Sequence, residues 1–147
     1  LARTESAAEQ RDIALVVEVD GDPWVQGDIR QLTSALFNLV DNALKYSEPG
    51  ASVTVRVGRR RGWVEVAVID HGPGIASRDH ERIFERFYRV DPGRSRDTGG
   101  TGLGLAIVRH VATNHGGEIT VCSREGEGAT FTLRLPAVEP PTTEEPA

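Results

Sequence analysis

Three stretches of this sequence gather residues able to hold a phosphorylated ligand. The first is a stripe of Asn38, Asn42 and Lys45. On a helix, steps of four and three residues bring those side chains within an arc of about 60°. Carboxamide oxygens suit a hard cation such as Mg2+, and an ammonium neutralises phosphate charge. A solvated helix face would have the same composition. The second stretch is Asp70-His71-Gly72-Pro73-Gly74-Ile75, at the end of an alternating apolar run. Its glycines allow a tight bend and close backbone approach, and its carboxylate can accept a hydrogen bond from an exocyclic amine. An ordinary turn reads the same way. The third is Gly99-Gly100-Thr101-Gly102-Leu103-Gly104-Leu105, four glycines before and inside the first turn of an amphipathic pattern. Each costs a helix about 1 kcal/mol against alanine. What they supply is free backbone N–H groups at a positive helix end, an anion site; a flexible hinge is the alternative.

Several familiar phosphate motifs are absent. A P-loop needs Gly-Lys, whereas Lys45, the one lysine beside 16 arginines, follows Leu44. There is no G-x-G-x-x-G fingerprint and no protein-kinase catalytic loop.

The elements that must carry these residues can be read from periodicity. Asp28 is a plausible N-cap, and Leu32, Ala35, Leu36, Leu39, Val40 and Ala43 recur at helical spacing, so a helix is expected over 28–46. Ile13 to Val19 reads as a strand closed by Asp20-Gly21-Asp22-Pro23, and 24–26 as a short second one. Alternating valines over 52–69 predict a hairpin turning at Arg59-Arg60-Arg61-Gly62. Helices are expected over 78–87 and 103–115, and strands over 118–123 and 130–135 around the turn at 125–128. Residues 88–101, polar and without apolar period, read as a mobile loop. The order predicts an α/β fold, a mainly antiparallel sheet backed by helices.

Composition sets bounds. The chain has 147 residues, 38% apolar and 27% charged, enough for one globular domain with a core. No apolar run approaches the roughly 20 residues of a membrane helix. A net charge of −5 argues against general nucleic-acid binding. The single Cys122 excludes an internal disulfide and favours a reducing compartment, and no zinc-ligand spacing is present. The absence of methionine and the start at Leu1 point to a piece of a longer protein. The division expected is a domain over 1–136 and a disordered Pro/Glu-rich tail over 137–147.

Taken together and in order, these segments resemble the catalytic, ATP-binding domain of bacterial two-component sensor histidine kinases. Asn-Leu-Val-Asp-Asn-Ala-Leu-Lys-Tyr-Ser at 38–47 is similar to their N box, and residues 70–75 to their G1 box. Ile-Phe-Glu-Arg-Phe-Tyr-Arg at 83–89 is similar to the F box, 100–105 to the G2 box, and Gly-Glu-Gly-Ala-Thr-Phe at 126–131 to the closing glycine turn. The likeness covers about residues 5–136. It implies the Bergerat-type two-layer sandwich shared with gyrase- and MutL-type ATPases, a mixed sheet against about three helices.

The resemblance also implies roles. Asn42 would coordinate Mg2+, with Asn38, Lys45 and Tyr46 on the phosphate and ribose side. Asp70 would read the adenine amine, with Gly72, Gly74 and Ile75 against the base. Arg89 would reach the phosphates, and 88–101 would be the ATP lid. Gly100, Thr101, Gly102, Leu103, Gly104 and Leu105 would cradle the phosphates, and Thr130 would sit near the adenine end. Asn38, Lys45 and Arg89 would be the catalytic set. Phe84 is either core or, like Phe87 and Tyr88, a docking residue for the acceptor helices.

Hydrolytic relatives carry glutamate where this chain has Asn38, and an amide takes no proton at neutral pH. Transfer of the ATP γ-phosphoryl group to a histidine is therefore expected. His71, His80, His110 and His115 lack the acceptor context, so the histidine would lie on an upstream dimerisation and phosphoacceptor domain, with a response regulator as indirect partner. The fragment would be a monomer, inactive in autophosphorylation alone, and a cytoplasmic part of a membrane-anchored sensor. A serine kinase of the anti-sigma type and a nucleotide-gated module without transfer are the other readings.

Overall fold

Alternation builds the sheet. In the computed structural model, which describes residues 6, 8–10, 12–45, 47–72, 82–84, 104–123 and 128–139, Val53, Val55, Val64, Val66 and Val68 turn to the interior. They lie on β2 (Ser52–Arg60) and β3 (Trp63–Asp70), an antiparallel pair. The hairpin closes through Arg61 and Gly62, both at positive φ (50° and 83°). That pair of conformations follows the right-handed twist of the flanking strands.

β4 (Glu118–Ser123) and β5 (Ala129–Pro136) pair antiparallel, and β5 pairs antiparallel with β3. β1 (Ala14–Val19) lies parallel to β2, and the strand order is β1-β2-β3-β5-β4. The expected sheet is thus present, with one parallel pair at its edge. That pair requires a crossover, which α1 (Ile29–Lys45) provides.

Asp28 starts α1 as expected. Its Oδ1 accepts the N–H groups of Arg30 and Gln31 at 2.9 and 3.1 Å. The helix buries Ala35, Leu39, Val40, Ala43 and Leu44 against the sheet, and α2 (Gly104–Asn114) buries Val108, Val111 and Ala112. α2 runs antiparallel to α1, since its first residue lies against Asn38 and His115, just past its end, against Asp28. Phe84, in a 3-10 turn over Arg82–Phe84, meets Phe131 edge to face at 6.1 Å and is 8% exposed, so it is core.

Two sequence expectations change. Residues 24–26 form no strand, because only three residues separate Pro23 from the Gly27-Asp28 start of α1; there the Val138 N–H donates to the Trp24 carbonyl at 2.9 Å. The ordered chain also passes the expected boundary at 136. The Ala137 N–H donates to the Gly62 carbonyl at 2.9 Å, and Arg59 meets Glu139 at 3.3 Å. The rest of the expected tail, the loop at 88–101, most of the helix at 78–87, and Phe87 and Tyr88 lie outside the described residues. Among those described, no helix is long and apolar enough to cross a membrane.

Candidate nucleotide site

Period-two alternation places Asp70 on the helix-facing side of β3, in line with Val64, Val66 and Val68. Its carboxylate therefore enters the interior, and the residue is only 6% exposed. The Gly72 N–H donates to Oδ1 at 3.0 Å, and the backbone N–H of Ala129 donates to the carboxylate as well. Burial pushes the Asp70 pKa above its ordinary value, while those two hydrogen bonds and the nearby His71 pull against the shift.

Gly128 closes one side of this corner. Its φ is +87°, and a Cβ there would stand 2.9 Å from His71 Cα and closer still to the Asp70 carbonyl oxygen. The Ser123 hydroxyl, at the end of β4, donates to the Gly128 carbonyl at 2.7 Å. Gly128 belongs to the glycine turn seen in the sequence, yet nothing in the sequence marked it or Ala129 as partners of Asp70. The β3–β5 register does so, pairing Asp70 with Ala129.

That register also sets the face on which Thr130 lies. Thr130 pairs with Ile69, so its side chain lies on the face of the sheet opposite Asp70. Ala129 occupies the position beside the carboxylate.

The phosphate-side residues come from the two helices. Asn38 Nδ2 donates to the Ser34 carbonyl at 2.8 Å, with Ser34 Oγ at 3.4 Å. This orientation turns Oδ1 toward Gly104, where a Cβ would lie 3.0 Å from that oxygen. Lys45 Nζ sits 3.0 Å from Asp41 Oδ2, an i,i+4 pair that sequence reasoning passed over. Asn42 is half-buried on the same helix. Leu105 packs against the core, so its side chain is structural.

The two groups open on one end of the sandwich. Ser52, which begins β2 shortly after Lys45 ends α1, falls two positions beyond the Thr54–Ile69 pair, level with the end of β3. Asn38 and Gly104 are in contact, as are Asp70 and Gly72. Tyr46, Gly74, Ile75, Arg89, Gly100, Thr101, Gly102 and Leu103 lie outside the described residues. No cluster of three or more His, Cys, Asp or Glu side chains suited to a metal occurs among the described residues.

A sandwich with this strand order, a buried carboxylate at a strand end and a carboxamide facing a helix-starting glycine defines a class of nucleotide-binding domain. Residues 27–139 match the family model described as histidine kinase-, DNA gyrase B- and HSP90-like ATPase. The chain belongs to that family, and within it to the catalytic domains of sensor histidine kinases. It is 51% identical over 138 residues to the sensor-like histidine kinase SenX3 of Mycobacterium tuberculosis, which covers 94% of this chain and 34% of that protein. The chain thus spans about a third of the length of these curated relatives. Among solved structures it resembles the mycobacterial sensor histidine kinase MprB at TM-score 0.79 and 38% identity, covering 92% of this chain and 91% of that one. It resembles full-length ShkA, crystallised in complex with AMPPNP, at TM-score 0.82 and 30% identity, covering 96% of this chain and 29% of that one.

Proposed function

We propose that this domain binds ATP together with Mg2+ and passes the γ-phosphoryl group to a histidine on a dimerisation and phosphoacceptor domain outside this chain. The observation that carries the reading is the state of Asn38. Its amide nitrogen is engaged by the Ser34 carbonyl, and its oxygen faces Gly104 at the start of α2. The group presents a neutral acceptor and has no capacity to take a proton from water. The nucleophile must then bring its own basicity, as a neutral imidazole does.

The residues suit the ligand. Gly104 and Gly128 each lie where a side chain would strike a neighbour, the Asn38 carboxamide and the Asp70 backbone, so both corners depend on glycine. The adenine amine would donate to Asp70, while the Asn38 and Asn42 carboxamides would help hold Mg2+ and Lys45 would meet phosphate. Two neutral donors are a weak cage alone, which suits a cation shared with triphosphate oxygens. Mg2+ would supply charge neutralisation as the phosphoryl group leaves. In the transfer, the acceptor nitrogen forms a bond to the γ-phosphorus while the bond to the bridging β–γ oxygen breaks, and ADP departs with the electron pair. The chain's own task is positioning and charge balance. The AMPPNP held by ShkA supports the nucleotide assignment.

The experiment is labelling with γ-32P ATP, first of this chain alone and then with an acceptor domain added. Acid-labile label on the acceptor, and none on the chain alone, is expected. Acid-stable label would point to a serine kinase, no label to a nucleotide-gated module, and strong labelling of the chain alone would place the acceptor within it.

A further inference from the structure

His115 follows the last residue of α2, far from the nucleotide corner. Its Nδ1 lies 2.8 Å from the Val111 carbonyl, and its Nε2 lies 3.0 Å from the backbone nitrogen of Asp28. A carbonyl only accepts and a backbone N–H only donates, so Nδ1 carries the hydrogen and Nε2 is bare. The two contacts thus fix the orientation of the ring. Gly27 makes room for the ring, since a Cβ there would stand 2.6 Å from Nε2. The cavity beside it is walled by the uncharged Val25, Gln26, Leu135, Pro136 and Val138, and the Asp28 carboxylate is turned to the N–H groups of Arg30 and Gln31.

The bond joins the end of α2 to the N-cap of α1. At the opposite end of the same helix pair, Gly104 meets the Asn38 carboxamide. From Gly104 to His115 is 11 residues, an arm of about 16 Å; from Asp28 to Asn38 is 10 residues, about 15 Å. In an antiparallel pair, arms of such similar length let both contacts close in one axial register. A slide of one helix past the other opens one of them.

We infer that His115 is a positioning residue for the phosphate side of the site: it sets the register of α2 on α1 and so the approach of Gly104 to Asn38. The inference rests on the nucleotide reading above. Asp70 sits on β3 and does not depend on this register, so the two ends of the ligand respond differently.

The test compares the whole chain with His115→Phe, which keeps a ring without the acceptor, and His115→Gln, whose amide oxygen can replace Nε2. Calorimetry with ATP·Mg2+ and with adenosine reads the two ends of the site. NMR amide exchange at Asp28 reads the bond itself. His115→Phe should bind ATP·Mg2+ about five- to tenfold more weakly, the range of one lost hydrogen bond. Adenosine should hold within about twofold, Asp28 exchange should quicken, and His115→Gln should restore both readings. If His115→Phe does not fold, Gly27→Ala displaces the ring and makes the same comparison. Unchanged ATP·Mg2+ binding in the variant, equal loss of adenosine, or an unprotected Asp28 amide in the wild type overturns the inference. A wild-type chain that binds no ATP overturns the nucleotide reading, and the inference with it.

Discussion

Gly128 and Asp70 touch backbone to backbone across the end of the β3–β5 ladder, with no space for a Cβ between them. Gly128→Ala therefore combines strain at φ +87° with a steric push on the corner that holds the carboxylate. Residues forced into such conformations cost on the order of 1–3 kcal/mol. Thermal melting should show that loss, and adenosine affinity should fall with it. An alanine variant that melts and binds like the wild type would show that the corner yields freely.

The buried carboxylate gives a pH signature. Because the folded-state pKa of Asp70 is raised, its contribution to stability is fully present below the unfolded pKa and is lost as pH rises through the folded value. Asp70→Asn should therefore gain stability relative to the wild type as pH increases from the acidic range toward neutrality. Paired denaturation curves across that range measure it.

Binding should move the other way. The adenine amine needs the ionised acceptor, so wild-type ATP affinity should decline on acidification, starting above the usual carboxylate range. Asp70→Asn should be weaker by about 1–3 kcal/mol at neutral pH, for a lost charged hydrogen bond, and flat with pH. Calorimetry at several pH values distinguishes the two profiles.

Lys45 is held by Asp41 before any phosphate arrives. Removing that competitor with Asp41→Asn should cost the helix about 0.3–0.5 kcal/mol, the usual scale of an i,i+4 pair. The freed ammonium should tighten triphosphate binding modestly and leave adenosine unchanged. Lys45→Ala should weaken the triphosphate and spare adenosine. Titrations with ATP and adenosine on both variants give the four values needed.

Asn38→Asp tests the amide. A carboxylate there cannot donate to the Ser34 carbonyl and would face it with like charge. We expect a loss of about 1 kcal/mol in stability and a turnover of ATP that stays slow, followed by phosphate release.

Much of the site was legible because helical and strand periods carry direct spatial meaning. The Asn38, Asn42, Lys45 stripe needed only the pitch of a helix, and the Asp28 cap only its residue type. Pairings between distant segments were not legible. The face taken by Thr130 depends on the β3–β5 register, since one position in a strand reverses the face. The Asp41–Lys45 pair was within reach of the i,i+4 rule, but the stripe drew attention to Lys45 alone. The sequence marks His115 only as lacking an acceptor context, since its partner Asp28 is 87 positions away and uses a backbone N–H that leaves no mark in the sequence.

The strand order has a kinetic consequence. Two hairpins, β2–β3 and β4–β5, are local in sequence, whereas the β3–β5 seam joins Asp70 to Ala129 across 59 positions. Closing so long a loop is entropically slow compared with forming either hairpin. The corner of Asp70, Gly72, Gly128 and Ala129 exists only once that seam has closed. During refolding, hairpin formation should precede adenosine binding, and the ligand should report the last closure rather than the first collapse.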